Sequence, residues 1–136
     1  MIYGKLNSLA PFATQESWDN SGLLVGDPGA EVKTALVVLD ITAEAVREAR
    51  EIGAELIISH HPVIFHPLKK VESGSVVWEL AQAGISAICA HTNLDMAQGG
   101  VTTCLAERFQ LKNVRMLKEY EHSGLPDGLI GETGRP

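Results

Sequence analysis

Hydrophobic residues in this chain form short continuous runs that alternate with segments of helical periodicity. The continuous runs predict strands at residues 35–40, 56–59, 85–90 and 114–117. The segments in which apolar residues recur every three or four positions predict helices at residues 2–10, 42–52, 75–83 and 99–109. Strands that alternate with helices predict an α/β fold, a mainly parallel sheet flanked by helices.

Local signals sharpen several of these elements. Thr42 is placed to cap the second helix, and Gly84 follows the third helix as a C-terminal stop. The run from Ala35 to Asp40 is apolar at consecutive positions, which predicts a strand covered on both faces. The pair Gly99-Gly100 fits either a tight turn or a phosphate-binding helix start.

Two of the predicted strands end in side chains that commonly bind metals. His60 and His61 follow residues 56–59, and His91 follows residues 85–90, with Asp95 four residues later in a predicted loop. The carboxyl ends of strands in an open α/β sheet are where ligands bind. Imidazole is the commonest metal ligand, and a carboxylate can bridge two ions. These residues therefore predict a divalent-metal site, with purely structural histidines as the alternative.

Other polar residues are open to two interpretations. The segment Trp18-Asp19-Asn20 is either a turn with Trp18 packed underneath or part of a cleft lining. Glu16 and Asp40 are candidate acid–base groups by position alone, and His66 is predicted to be a loop residue.

Composition narrows the class of protein. A chain of 136 residues fits one domain, and a net charge of −6 argues against nucleic-acid binding, which needs a concentrated positive surface. No apolar run approaches the roughly 20 residues of a membrane span, and the N-terminus lacks a signal-peptide pattern. Cys89 and Cys104 are predicted to be buried free thiols, consistent with a cytoplasmic location.

A set of motifs along nearly the whole chain is similar to a known family. The motifs are Leu9-Ala10-Pro11, Glu16-Ser17-Trp18-Asp19-Asn20-Ser21-Gly22-Leu23, Gly26-Asp27, Ile58-Ser59-His60-His61-Pro62, His91-Thr92-Asn93-Leu94-Asp95 and Gly99-Gly100-Val101. They resemble the Nif-three-like family (NGG-one interacting factor three), often named GTP cyclohydrolase type 2 homologues.

That resemblance implies a fold of two similar halves, assembled as ring-shaped homohexamers. It implies two divalent ions (Zn, Mn or Fe) held by His60, His61 and Asp95, with Asp95 as the bridge. His91, in the same motif, is expected to be a ligand or an adjacent residue. The family's C-terminal histidine and glutamate have no counterpart in this chain. We therefore expect residues 1–122 to form a metal-binding lobe, and residues 123–136 a glycine-rich connection into a second half.

Two functions follow from the resemblance. The first is a metal-dependent hydrolase acting on a nucleotide or phosphorylated small molecule, with catalytic residues not assigned. The second is a metal-stabilised oligomeric scaffold that recruits partners without catalysis. A plain α/β fragment with structural histidines is the reading outside the family.

Overall fold

The computed structural model describes residues 2–121 and 123–134. These residues form two compact units. Residues 15–91 make up one unit, and the described residues up to Thr14 and from Thr92 onward make up the other. Met1, His122, Arg135 and Pro136 lie outside the described residues, so the ends of the two predicted segments, 1–122 and 123–136, are described only in part.

The eight predicted helices and strands appear in the predicted order. The helices are α1 (Ile2–Leu9), α2 (Ala43–Glu51), α3 (Val76–Ala83), α4 (Thr92–Met96) and α5 (Val101–Arg108), with a short 3-10 helix at Phe12–Thr14. The strands are β1 (Gly22–Val25), β2 (Ala35–Val38), β3 (Leu56–Ser59), β4 (Ser86–Cys89), β5 (Lys112–Met116) and β6 (Leu129–Glu132). Of these elements, β1, the 3-10 helix, α4 and β6 are additional to the prediction. Among the described residues, no helix has the length and apolar character that crossing a bilayer requires.

The main sheet lies in the unit formed by residues 15–91. Its strand order is β1-β4-β3-β2, with β3 parallel to both neighbours and β1 antiparallel to β4. This arrangement confirms the predicted mainly parallel sheet. The last predicted strand is present as β5, but it pairs antiparallel with β6 in a separate two-stranded sheet of the other unit.

The core of this unit lies where α2 and α3 pack on the sheet. Its fully buried members include Val46 and Ala49 on α2, Leu80 on α3 and Ile57 on β3. Capping hydrogen bonds fix where α2 and α3 begin: the Thr42 hydroxyl accepts from the Ala45 amide, and the Ser75 hydroxyl accepts from the Trp78 amide. Gly84 ends α3 with φ 67°, a left-handed conformation in which glycine carries no steric cost.

The prediction that residues 35–40 form a strand covered on both faces is wrong. Within the described chain β2 is an edge strand, and Val37 and Leu39 are 72% and 61% exposed. Leu36 and Val38, on the opposite face, pack against the core. Side chains alternate across a strand, so one layer of helices covers only every second residue here.

The predicted loop after His91 is also wrong, because residues 92–96 form the short helix α4. Asn93 is completely buried, and its side-chain amide donates to the Ala10 carbonyl at 2.8 Å. Gly100 precedes α5, and a Cβ there would overlap the carbonyl oxygen of Leu94. Close packing of two backbones therefore explains why glycine stands at the start of α5.

We expect Leu80→Ala to lower the free energy of unfolding by about 2–5 kcal/mol, because it leaves a cavity in a fully buried site. The matched control Leu39→Ala removes the same atoms from a side chain that is 61% exposed, so a change within about 0.5 kcal/mol is expected. Urea denaturation monitored by circular dichroism measures both. Equal losses for the two variants would contradict the described core.

Candidate metal centre

The register of the parallel strands places the candidate site. Val38 of β2 pairs with Ser59 of β3, and Ser59 pairs with Cys89 of β4. The three strands therefore end level with one another, and the side chains that follow them emerge at one edge of the sheet. The residues that follow include Asp40 after β2, His60 and His61 after β3, and His91 after β4.

Three of the four predicted ligands lie together at this edge. The ring centroids of His60, His61 and His91 are separated by 4.9, 5.1 and 5.6 Å. One candidate ligand atom from each residue lies within 4.8 Å of the others, a spacing that can hold a metal ion. Asp95 lies on α4 in the other compact unit, and its assignment as a ligand stays a prediction.

The hydrogen bonds of the three imidazoles follow one pattern. In each ring Nδ1 faces an oxygen that can only accept: the Ala90 carbonyl for His60 at 3.0 Å, the Asp40 carboxylate for His61 at 2.7 Å and the Asp19 carboxylate for His91 at 2.9 Å. Nδ1 must therefore be the donor, and in the neutral ring Nε2 carries the lone pair. Metal-binding histidines characteristically show this arrangement.

Asp19 is the most strongly anchored of these acceptors. Its side chain is completely buried, and Oδ1 also accepts from the Asn20 amide at 2.7 Å. Ser21 donates its hydroxyl to Oδ2 at 3.2 Å and accepts from the His91 amide at the same distance. His91 is thus held at its ring and at its backbone by the same loop. The Asp40–His61 pair, by contrast, is about half exposed on both sides.

The sequence offered Asp19 only as part of a possible cleft lining and did not predict its contact with His91. Asp19 lies 72 positions before His91 and precedes β1, whose antiparallel pairing with β4 brings the loop to the site. Sequence spacing contains no signal for such a pairing. Asp40, a candidate by position, contacts His61, whereas the predicted role of the Glu16 carboxylate stays a prediction.

Of the two readings of Trp18-Asp19-Asn20, the contacts favour a lining of the site. Trp18 is 58% exposed rather than packed underneath, and its ring lies 6.4 Å from the ring of His91. His66 lies outside the histidine group and stacks edge-on with Phe65 at 4.8 Å.

Cys89 supports the site from below. Its thiol donates to the His60 carbonyl at 2.9 Å, while the Ser59 hydroxyl donates to the His61 carbonyl at 2.8 Å. Burial, reinforced by the nearby Asp19 charge, raises the pKa of Cys89 to about 12. Cys89 is therefore a neutral hydrogen-bond donor at physiological pH. The prediction that Cys104 is also buried is wrong: it is exposed on α5.

The motifs in the sequence resemble one family, and the comparison with family models gives the same family. The model of the Duf34/NIF3 family (NGG1p interacting factor 3) matches residues 1–135, and the chain belongs to this family.

Among its relatives is a GTP cyclohydrolase 1 type 2 homolog from Staphylococcus aureus (strain COL). The two are 43% identical over 119 residues, which cover 85% of this chain and 32% of the relative. This chain therefore spans about a third of the length of the curated relatives it matches.

Solved structures show the same fold. A Bacillus cereus protein related to NIF3 has a TM-score of 0.81 and 37% identity, covering 86% of this chain and 33% of that one. Reduced HcgD from Methanocaldococcus jannaschii has a TM-score of 0.80 and 29% identity, covering 88% and 49%. The fold is therefore shared with NIF3-related proteins, consistent with one half of a two-lobed structure.

At pH 8, we expect iodoacetamide to modify Cys104 and leave Cys89 intact in the folded chain. A pKa raised from 9.0 to about 12 lowers the thiolate fraction of Cys89 about a thousandfold. Intact-mass spectrometry should show one adduct, none for Cys104→Ser, and two for the unmodified sequence in urea. Equal labelling rates for both thiols would disprove the described burial.

The raised pKa also means that Cys89 stabilises the fold below about pH 9, and that this contribution is lost as the pH rises towards 12.

In metal-free protein, we expect Asp19→Ala to reduce the free energy of unfolding by about 1–3 kcal/mol. The substitution removes the acceptor for partly buried donors on Asn20, Ser21 and His91. Asp40→Ala is the matched control: its half-exposed pair with His61 should contribute less than about 1 kcal/mol. Chemical denaturation with a chelator present measures both. A larger loss for Asp40→Ala would contradict this ranking.

Proposed function

We propose that this chain is the metal-binding part of a dinuclear, metal-dependent hydrolase that acts on a nucleotide or phosphorylated small molecule. The observation that carries the proposal is the shared orientation of His60, His61 and His91, with Nδ1 donating to oxygen in every ring. A set of imidazole nitrogens suits Zn and Fe, and the residues present therefore fit a divalent ion.

The residues of the chain have distinct roles in this proposal. His60, His61 and His91 hold the metal through Nε2, while Asp19 and the Ala90 carbonyl keep two of the rings in position. Asp95, matched to the family motif, is the proposed bridging carboxylate. When bound, divalent ions supply a hydroxide nucleophile at neutral pH and polarise the bond to be cleaved.

The substrate class is inferred from the relatives. Their name, GTP cyclohydrolase 1 type 2 homolog, points to a nucleotide, and the chain covers about a third of their length. Nucleotide hydrolysis is therefore proposed at the level of the full-length relatives. The family resemblance also supports a ring-shaped homohexamer, and the two free cysteines fit a cytoplasmic location.

We expect His60→Ala to weaken Mn²⁺ or Zn²⁺ binding at least about 100-fold, because it removes a ligand. His66→Ala is the matched control: it removes a nearby histidine that is outside the cluster and should leave metal affinity unchanged. Isothermal titration calorimetry gives affinity and stoichiometry. Two ions in the parent chain and fewer in Asp95→Ala would support the dinuclear assignment.

Substitutions at the positions that match His60 and His66 test catalysis in a full-length relative. Hydrolysis of nucleotides by the metal-loaded protein should fall with His60→Ala and persist with His66→Ala. If the parent chain binds metal and His60→Ala and His66→Ala weaken that binding equally, the proposed metal site is wrong. Failure of the loaded relative to hydrolyse any nucleotide or phosphoester would contradict the activity.

One observation favours the scaffold as a second candidate. The unit that contains α5 exposes large apolar side chains on this helix and in the segment that follows, among them Leu105, Phe109 and Leu117 at 51%, 68% and 63%. Surfaces of this kind commonly mark protein–protein contacts. Partner binding by His60→Ala separates the two candidates, because a scaffold that recruits partners keeps them when the metal, and hydrolysis with it, is lost.

A further inference from the structure

Two exposed aromatic rings stand beside the histidine cluster. Trp18 is 58% exposed and Phe65 is 39% exposed, and their centroids lie 6.1 Å apart. Each ring centroid is also 6.4 Å from that of His91, and each meets the imidazole nearly at right angles, at 79° and 83°. His91 thus occupies the corner between two larger rings that both remain accessible.

Hydrogen bonds hold this pair of rings in place. Asn20, two residues after Trp18, donates its side-chain amide to the carbonyl of Ile64, the residue before Phe65, at 2.6 Å. Asp19, adjacent to Trp18, is fixed to the ring of His91. The two segments that carry the aromatic rings are therefore tied to each other and to the candidate metal ligands. An aromatic surface ordered in advance loses little conformational entropy on binding.

The two rings lie side by side at the surface, and an exposed apolar surface rimmed by polar residues commonly marks a place where a ligand binds. Among small ligands, exposed aromatic faces bind cations and flat rings. A divalent ion held by His91, whose ring centroid lies 6.4 Å from that of Trp18, would repel a cationic ligand. A flat, uncharged ring is favoured, and its anionic substituent would then face the metal.

We propose that Trp18 and Phe65 form a stacking site for the planar heteroaromatic ring of a ligand whose anionic group is held at the histidine cluster. The proposal rests on the function proposed above, and it names residues that select the ring rather than hold the metal.

The test compares guanosine 5′-monophosphate with ribose 5-phosphate, which has a hydroxyl in place of the guanine base. Chemical-shift titrations of the chain, with Mn²⁺ replaced by diamagnetic Zn²⁺, give both Kd values. We expect the nucleotide to bind at least about 5-fold more tightly than the sugar phosphate, from stacking alone. Trp18→Leu should abolish this preference, and Phe65→Leu should reduce it, with ribose 5-phosphate affinity unchanged in both.

Trp78→Leu provides the matched control, because Trp78 is also exposed, at 41%, but lies on α3. This variant should keep the full preference for the nucleotide. The stacking site is overturned if the parent chain shows no preference, or if the preference survives in both Trp18→Leu and Phe65→Leu. A Zn²⁺ titration of the same samples tests the metal site independently. If the parent chain does not bind Zn²⁺, the proposed function is rejected. The ratio of the two ligand affinities tests the stacking site.

Discussion

The parallel pairing of β3 with β2 and β4 is the constraint on which the candidate site depends. Backbone hydrogen bonds continue past the strand ends, from the His61 amide to Leu39 and from the Ala90 amide to Ser59, both at 3.0 Å. They fix the backbone of the double histidine and the level at which His91 emerges. A slip of one residue between strands would move every one of these side chains to the other face. The ligand geometry is therefore a property of the sheet.

A second constraint is electrostatic. Burying a carboxylate is unfavourable unless hydrogen bonds replace its hydration, and Asp19 meets this condition through Asn20, Ser21 and His91. The same hydrogen bonds orient the His91 ring and bring Trp18 to its edge. One short loop thus links three properties: burial of a negative charge, orientation of a metal ligand and display of an aromatic face. A change in this loop would affect all three together.

Much of the fold was predictable. The limits of β3 and the caps at Thr42 and Gly84 follow from local rules of chain geometry, because each depends on residues within one helical turn or one strand. The predictions that failed involved long-range packing. The exposed face of β2 depends on which elements cover the sheet, and α4 is too short, at five residues, for a periodic pattern to reveal it.

The sequence alone determined the class of protein and three members of the histidine cluster, because a strand end and its following residues are encoded contiguously. It also carried the motifs by which the chain belongs to the Duf34/NIF3 family. Only the tertiary structure decided which nitrogen of each imidazole faces outward, since that depends on acceptors up to 72 residues away. The pairing of Trp18 with Phe65 has the same origin: the antiparallel strand β1 and the Asn20–Ile64 hydrogen bond join segments that no local pattern connects.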